Sequence, residues 1–336
     1  MQPGETQALL DHLITSAHRG FPLTRQGLRE AALAILKKRL GEGVYLGKNW
    51  CTRFLQRHST ILKTHWGQTL DIKRGQAVNP ATNETYFRLL KEVLGVKEDG
   101  SVTILPENIY GCDESGFMQG VAETERVIGL AGKSGQHVMR YINRETTTAL
   151  VTICADGTSL PPLVIFKGKH FQLQWNQNNP LGCSLAYSDN GWATQELGVG
   201  FLKIFIAQTE DKCQGRTRVL LVDGHTSHCT YAFLKLAAEH NIIVLCYPPH
   251  ATHVYQGLDV ACFGLMKQYW RTACQSYELG ARERVSKAMF LQVFAEPYRK
   301  AFTVETIKSA FKRTGVVPYD PTVITADMLA PSKATS

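Results

Sequence analysis

The chain has 336 residues, 37 Lys and Arg against 29 Asp and Glu for a net charge of +8, and 44% hydrophobic with 20% charged residues. This is the composition of a globular protein, long enough for one large domain and a small one or for two of medium size, and it excludes a fibrous or low-complexity chain. No apolar run approaches the roughly 18 residues of a membrane span, and MQPGETQALLDHL lacks the basic and apolar regions of a secretory signal. The nine cysteines are scattered with no C-x-x-C pair, which argues against a zinc ribbon and for packed free thiols in a reducing compartment.

Residues 1–66 read as helical. Leu9, Leu10, Leu13 and Ile14 repeat at helical spacing between Thr6 and His18. Gly20 to Pro22 break that helix, and Thr24 caps the next, Arg25 to Leu40. A third helix is predicted from about Lys48 to His58, with Trp50, Cys51, Phe54 and Leu55 on its apolar face and Asn49, Arg53 and Arg57 striping the other. Residues 1–80 hold 12 Lys and Arg against 5 Asp and Glu, a net of +7 that leaves only +1 for the rest of the chain. Three short helices with a basic last one fit a helix-turn-helix that lays its final helix in the major groove. Arg reads guanine edges and Asn adenine edges, while Lys48 and Lys63 are placed to grip phosphates. The competing reading is a merely solvated helix face. Asn79-Pro80 opens a further helix to about Leu94, read as a connector.

From residue 107 the apolar period changes. Asn108 to Asp113 is predicted as a short strand ending at the aspartate, and TTTALVTICA (146–155), the turn Asp156-Gly157 and Leu163 to Phe166 as a hairpin. Residues 167–200 show no regular period. Arg218-Val-Leu-Leu-Val is a continuous apolar run ending at Asp223, as in a strand buried on both faces. A helix from Tyr231, a strand Ile242 to Cys246, a loop and a long helix from Leu258 follow; Thr303 to Arg313 is a further capped helix. This order predicts an α/β ribonuclease-H-like core, a mixed sheet flanked by helices, behind a small all-α head. Such a core sets carboxylates on neighbouring strands and a following helix. Carboxylates are hard oxygen ligands that suit magnesium and balance its charge.

NIYGCDESGF, LPPLVIFKGK, LLVDGHTSH, YPPHATHVYQGLDVACFGLMKQYW and AFKRTGVVPYDP together resemble the pogo-like branch of the mariner-type DDE transposases. GFPLTRQGLRE, GKNWCTRFLQRH and the Leu-Asp of HWGQTLD resemble the second helix-turn-helix of the CENP-B-type bipartite DNA reader in that family. The resemblance spans about residues 5–325. It implies Asp113, Asp223 and Asp259 as catalytic, metal-holding carboxylates with Mg2+ or Mn2+, double-stranded DNA as partner, a nuclear location and a possible homodimer. It implies cleavage of DNA by a metal-activated water, followed by attack of the freed 3′ hydroxyl on target DNA. The expected domains are 1–70 (helix-turn-helix), 71–106 (helical connector), 107–325 (endonuclease core) and 326–336 (disordered tail).

Two departures stand out. The family has a first helix-turn-helix ahead of the one seen here, and it tends to place Pro where this chain has Gly257, which is expected to loosen the backbone ahead of Asp259. The alternative function is a domesticated, catalytically silent DNA binder. His225, His228, His250 and His253 read as neighbours of the acidic site. A zinc site made from these two H-x-x-H pairs is the weaker reading. Gly132-Lys133-Ser134 lacks the earlier glycine of a phosphate-binding loop.

Overall fold

The computed structural model describes residues 1–18, 23–65, 77–120, 145–224 and 230–329. The chain divides into two compact units, residues 1–83 with the C-terminal residues from 324, and residues 84–323.

The first unit is helical: α1 (Pro3–His18), α2 (Arg25–Leu40) and α3 (Trp50–Arg57). The Thr24 side chain accepts a hydrogen bond from the Gly27 N–H at 3.1 Å, supplying the cap expected there. Leu9 and Leu10 of α1, Leu28, Ala32 and Leu36 of α2, and Cys51 and Phe54 of α3 close one core. Arg29 donates to the carbonyls of Leu46 and Gly47, which pins the turn before α3. The third helix is shorter than expected. Lys48 lies in the turn before it, and Asn49 occupies the N-cap position without a side-chain cap bond. Asn49 is therefore the cap of α3 rather than a residue within it, its carbonyl accepting from the Arg53 N–H at 3.1 Å; Arg53 and Arg57 lie in the helix itself.

The second unit is built on a six-stranded mixed sheet: β1 (Ile109–Met118), β2 (Thr146–Cys154), β3 (Leu163–Lys167), β4 (Ser184–Ser188), β5 (Arg218–Val222) and β6 (Ile242–Cys246). The strand order is β4-β3-β2-β1-β5-β6. The β1–β2 and β2–β3 pairs are antiparallel, and β1–β5, β5–β6 and β3–β4 are parallel. The Asp156-Gly157 turn forms as expected, with the Gly157 N–H donating to the Cys154 carbonyl at 3.0 Å. Asp156 also meets the Lys212 ammonium at 2.5 Å, tying the hairpin to the helix that carries Lys212.

Helices cover both faces of this sheet. On one, α5 (Gln195–Cys213) and α6 (Tyr231–Glu239) bury Phe201, Leu202, Phe205 and Phe233 against Tyr110, Cys112, Leu220 and Val222. On the other, α8 (Phe263–Ala281) and α9 (Lys287–Ala301) lay Trp270, Phe290 and Phe294 against Phe117 and Phe166. The Trp270 indole donates to the Met118 carbonyl at 2.7 Å. Helix α4 (Pro80–Leu94) is more than a connector: Tyr86 packs on Tyr255 with ring centroids 4.9 Å apart, and Tyr319 donates to the Phe87 carbonyl at 3.0 Å. A short α7 (Thr252–Tyr255) precedes α8, and α10 (Val304–Arg313) follows α9. The segment expected as a disordered tail begins with a helical turn, Ala326–Leu329; residues 330–336 lie outside the described ones. Two elements within the stretch that shows no period in sequence are regular, β4 and the start of α5. Among the eight described cysteines only Cys246 is exposed.

Candidate active site and nucleic-acid interface

Asp113 does not end its strand. It lies in the middle of β1, opposite Val151 of β2. The parallel pairing of β1 with β5 runs from Ile109↔Val219 to Gly111↔Leu221, and at the same offset Asp113 stands level with Asp223, one residue past β5. The next pair repeats the pattern. Val222 pairs with Cys246, and the Tyr247 N–H donates to the Val222 carbonyl at 2.9 Å. Asp113, Asp223 and Tyr247 thus form one row across three strands.

Side chains alternate along a strand, so Asp113 shares a sheet face with Gly111 and Phe117. The absence of a side chain at Gly111 leaves room there: a Cβ would lie 3.4 Å from the Tyr247 hydroxyl. Burial and the nearby charges of Asp113 and Asp259 help push the Tyr247 phenol well above its usual range.

Asp259 comes from a π-helical turn, Leu258–Cys262, that leads into α8. Such turns are rare and recur at functional sites. The carboxyl of Asp113 is held well above the usual carboxylate range, first by burial and then by the charges of Asp259 and Asp223. The Glu114 N–H, donating to its Oδ1 at 2.7 Å, opposes the shift. Asp113 therefore feels both other carboxylates, with Asp223 half-buried and Asp259 at the exposed side of the site. Their oxygens match the ligand chemistry of a hard divalent cation and would relieve their repulsion by binding one. Among the described residues, no group of three or more His, Cys, Asp or Glu side chains is arranged to hold an ion as it stands.

Residues that sequence reasoning missed complete the surroundings. Gln256 is buried to 1% exposure, and among the described residues neither its Oε1 nor its Nε2 completes a well-formed hydrogen bond. Its amide faces Asp113 closely enough to favour the ionised carboxylate. The motif containing Gln256 is visible in the sequence, but only burial distinguishes this glutamine from a solvated loop residue. Gly257 is not the loosened point expected. Its backbone is right-handed helical (φ −58°, ψ −34°), and a Cβ there would stand 3.0 Å from the Ala310 Cβ and 3.1 Å from its carbonyl carbon and oxygen. The missing side chain lets the Asp259 turn pack directly on the α10 backbone.

His250 is exposed in the turn after β6, with a left-handed backbone at φ 60°, and His253 is half-buried on α7. Both lie on the connection leading to Asp259. His225 and His228 fall outside the described residues. In the first unit Lys48, Asn49, Arg53, Arg57 and Lys63 are all exposed.

Residues 143–311 match the family model of the DDE superfamily endonucleases. The chain belongs to that family. The match takes in Asp223 and Asp259; Asp113 lies ahead of it. Residues 3–65 match the Tc5 transposase DNA-binding domain, which makes the helical head a helix-turn-helix and DNA the partner of this class of protein. Among curated relatives, the chain is 34% identical over 231 residues to an MFS-type transporter, clz9, of Cochliobolus lunatus, covering 68% of this chain and 25% of that protein. It is 21% identical over 249 residues to the pogo transposable element with KRAB domain of Homo sapiens, covering 73% of this chain and 39% of that one. The chain thus spans well under half of the curated relatives it matches. Among the described residues no helix is long and apolar enough to cross a membrane.

Among solved structures, the Mos1 strand transfer complex aligns with a TM-score of 0.55 at 13% identity, over 96% of this chain and 77% of that one. The Mos1 mariner paired-end complex with Mn aligns at 0.54 and 12%, over 96% and 78%. The shared fold is the ribonuclease-H-like mixed sheet with flanking helices.

Proposed function

We propose that this chain is a transposon-derived DDE endonuclease that binds double-stranded DNA through its helix-turn-helix and cleaves and joins phosphodiesters at Asp113, Asp223 and Asp259 with Mg2+ or Mn2+. The observation that carries the reading is the parallel-strand register that sets Asp113 level with Asp223, with Asp259, on the turn before α8, near enough to act on Asp113. Family membership supports it, as does the fold shared with Mos1 complexes, one of them with Mn.

When bound, the divalent ion supplies Lewis-acid activation of the attacking oxygen and stabilisation of the leaving one. The chain's own part is to hold the oxygens. Asp113 is fixed by a strand paired along its length to β2, and its Oδ1 is oriented by the Glu114 N–H. Asp223 leaves β5 level with it. Asp259 is carried by a helical turn locked against α10 through Gly257. Rigid elements of this kind keep the carboxylates prepositioned rather than gathered at random. Arg53 and Arg57, with Lys48, Asn49 and Lys63, take the duplex. A chain that acts on chromosomal DNA would work in the nucleus. Action on paired DNA ends, as in the Mos1 paired-end complexes, would use two copies of the chain.

The test is divalent-ion-dependent nicking of duplex DNA by the purified chain, repeated with Asp223→Asn. Loss of nicking in the variant supports the assignment, and unchanged nicking refutes it. A wild-type chain that binds DNA without nicking it favours the silent-binder alternative.

A further inference from the structure

Gln256 is the least explained polar side chain beside the acidic site. Its side chain is almost fully buried, yet among the described residues neither amide atom completes a well-formed hydrogen bond, although the amide lies beside Asp113. Buried polar groups are nearly always satisfied, so an orphaned primary amide calls for a missing water, ion or ligand. Its backbone cannot relax to fill the deficit. The Gln256 N–H donates to the Thr252 carbonyl at 2.9 Å, and its carbonyl accepts from the Val260 N–H at 3.0 Å. The next residue, Gly257, is pressed against Ala310. The residue is therefore held between the end of α7 and the turn bearing Asp259, and its amide lies near enough to Asp113 to act on that carboxyl.

This is the chemistry of an outer-shell group. Carboxylates that hold a metal are themselves hydrogen-bonded, and those partners orient them. An amide suits the position better than a further carboxylate, because it donates to one oxygen and accepts from a water without adding to the negative charge.

We propose that Gln256 is a positioning residue of the acidic site, its Nε2 donating to the Asp113 carboxylate and its Oε1 accepting from a water held by the divalent ion. The inference rests on the reading of Asp113, Asp223 and Asp259 as the ion site. A structural role explains the observations less well, since an amide with no partner contributes no hydrogen bond to the fold.

The test titrates Mn2+ into the ion-free full chain by calorimetry, alongside melting of the same ion-free protein. Gln256→Met keeps length and volume but removes the polar atoms. It should melt no lower than wild type without ion, yet bind Mn2+ about 10–100-fold more weakly. A Gln256→Met chain that folds and binds Mn2+ with wild-type affinity overturns the inference. If Gln256→Met does not fold, Gln256→Glu decides: a tighter Mn2+ complex than wild type supports the placement, and an unchanged one overturns it. Asp223→Asn separates the two readings. A wild-type chain whose Mn2+ binding survives Asp223→Asn, or that binds no Mn2+, overturns the ion site and this inference with it. Binding that Asp223→Asn abolishes but Gln256→Met leaves intact overturns this inference alone.

Discussion

The packing of Gly257 against α10 yields a quantitative comparison between two glycines. Replacing Gly257 by Ala leaves the backbone unstrained, because its φ and ψ are already helical. Removing a glycine from a helical position is worth about 1 kcal/mol in backbone propensity. The new methyl, however, would stand 3.0–3.1 Å from three atoms of Ala310, where carbon atoms pack optimally at about 3.5–4.0 Å. Two of those atoms are backbone of a buried helical residue and cannot swing aside. The α10 helix or the Asp259 turn must therefore move by about 0.5 Å, and such overpacking costs about 1–3 kcal/mol. Gly264 is exposed on α8, and a methyl added there would meet nothing within 4 Å, so Gly264→Ala takes the propensity gain alone. The difference between the two variants isolates the packing cost, about 1–3 kcal/mol. For a unit of this size each kcal/mol moves the melting temperature by about 2–4 °C. Thermal unfolding by circular dichroism measures it. Gly264→Ala should melt above wild type, and Gly257→Ala several degrees below Gly264→Ala. The displaced turn should also lower ion-dependent nicking, since small misplacements of reacting groups are costly. Equal melting temperatures for the two variants would refute the close-packing argument.

Other consequences are open to direct measurement. Asp113 has a folded pKa raised above its unfolded value, so without ion its ionisation destabilises the fold as pH rises past the ordinary carboxylate range. Asp113→Asn should raise the ion-free melting temperature at pH 7, with the gain fading on acidification, and should remove the stabilisation of about 2.7 kcal/mol that an ion at 100 times its Kd gives the wild type. Burial pushes the Asp156 carboxyl up, but Lys212 and Thr158 outweigh it and hold the group at about 2. That stability is present above the ordinary aspartate pKa and is lost as pH falls towards 2. With solvent screening of a partly exposed pair, Asp156→Asn should cost about 1 kcal/mol at pH 7 and nothing in acid, read from chemical denaturation at each pH. In the head, Arg53→Ala with Arg57→Ala should weaken duplex binding and flatten its salt dependence by about 0.9 log units per log salt for each phosphate that is no longer neutralised. Arg39→Ala, which removes only the 2.6 Å pair with Glu5, should leave that slope unchanged.

Elements whose signal is local are legible in the sequence. Thr24 marks the start of α2 because its hydroxyl satisfies an N–H that the helix cannot. Asp156-Gly157 marks the hairpin because glycine takes φ 103° without a clash. The run Arg218–Val222 marks a central strand because all five residues are buried. What escapes depends on tertiary neighbours. Strand β4 is an edge strand with only Ser188 buried, so its side chains carry no alternation to read. The start of α5 is obscured by Gly198 and Gly200, and Gly198 is buried. Gly257 reads as a point of looseness because sequence shows what glycine permits and not what presses on it. At the site, Asp113, Asp223 and Asp259 are legible as carboxylates at the borders of apolar elements, whereas Gln256 and Tyr247 are not, since their importance lies in burial beside a charge.

The one misplaced boundary at the site also explains how the site works. The sequence pattern puts Asp113 at the end of a strand, as Asp223 is, but β1 runs on to Met118. The reason is that its two edges are satisfied differently. Strand β2 pairs with β1 from Tyr110 through Met118, whereas β5 pairs with it only from Ile109 to Gly111. Past Gly111 no further pairing with β5 is made among the described residues. Asp113 therefore sits where β1 is held by β2 along one edge and, among the described residues, is no longer laddered to β5 along the other. The held edge supplies the rigidity that a prepositioned carboxylate needs, and Asp223 stands level with it on the other side. A strand that stopped at Asp113 would leave that carboxylate on a fraying end, and one paired on both edges would close the space in front of it.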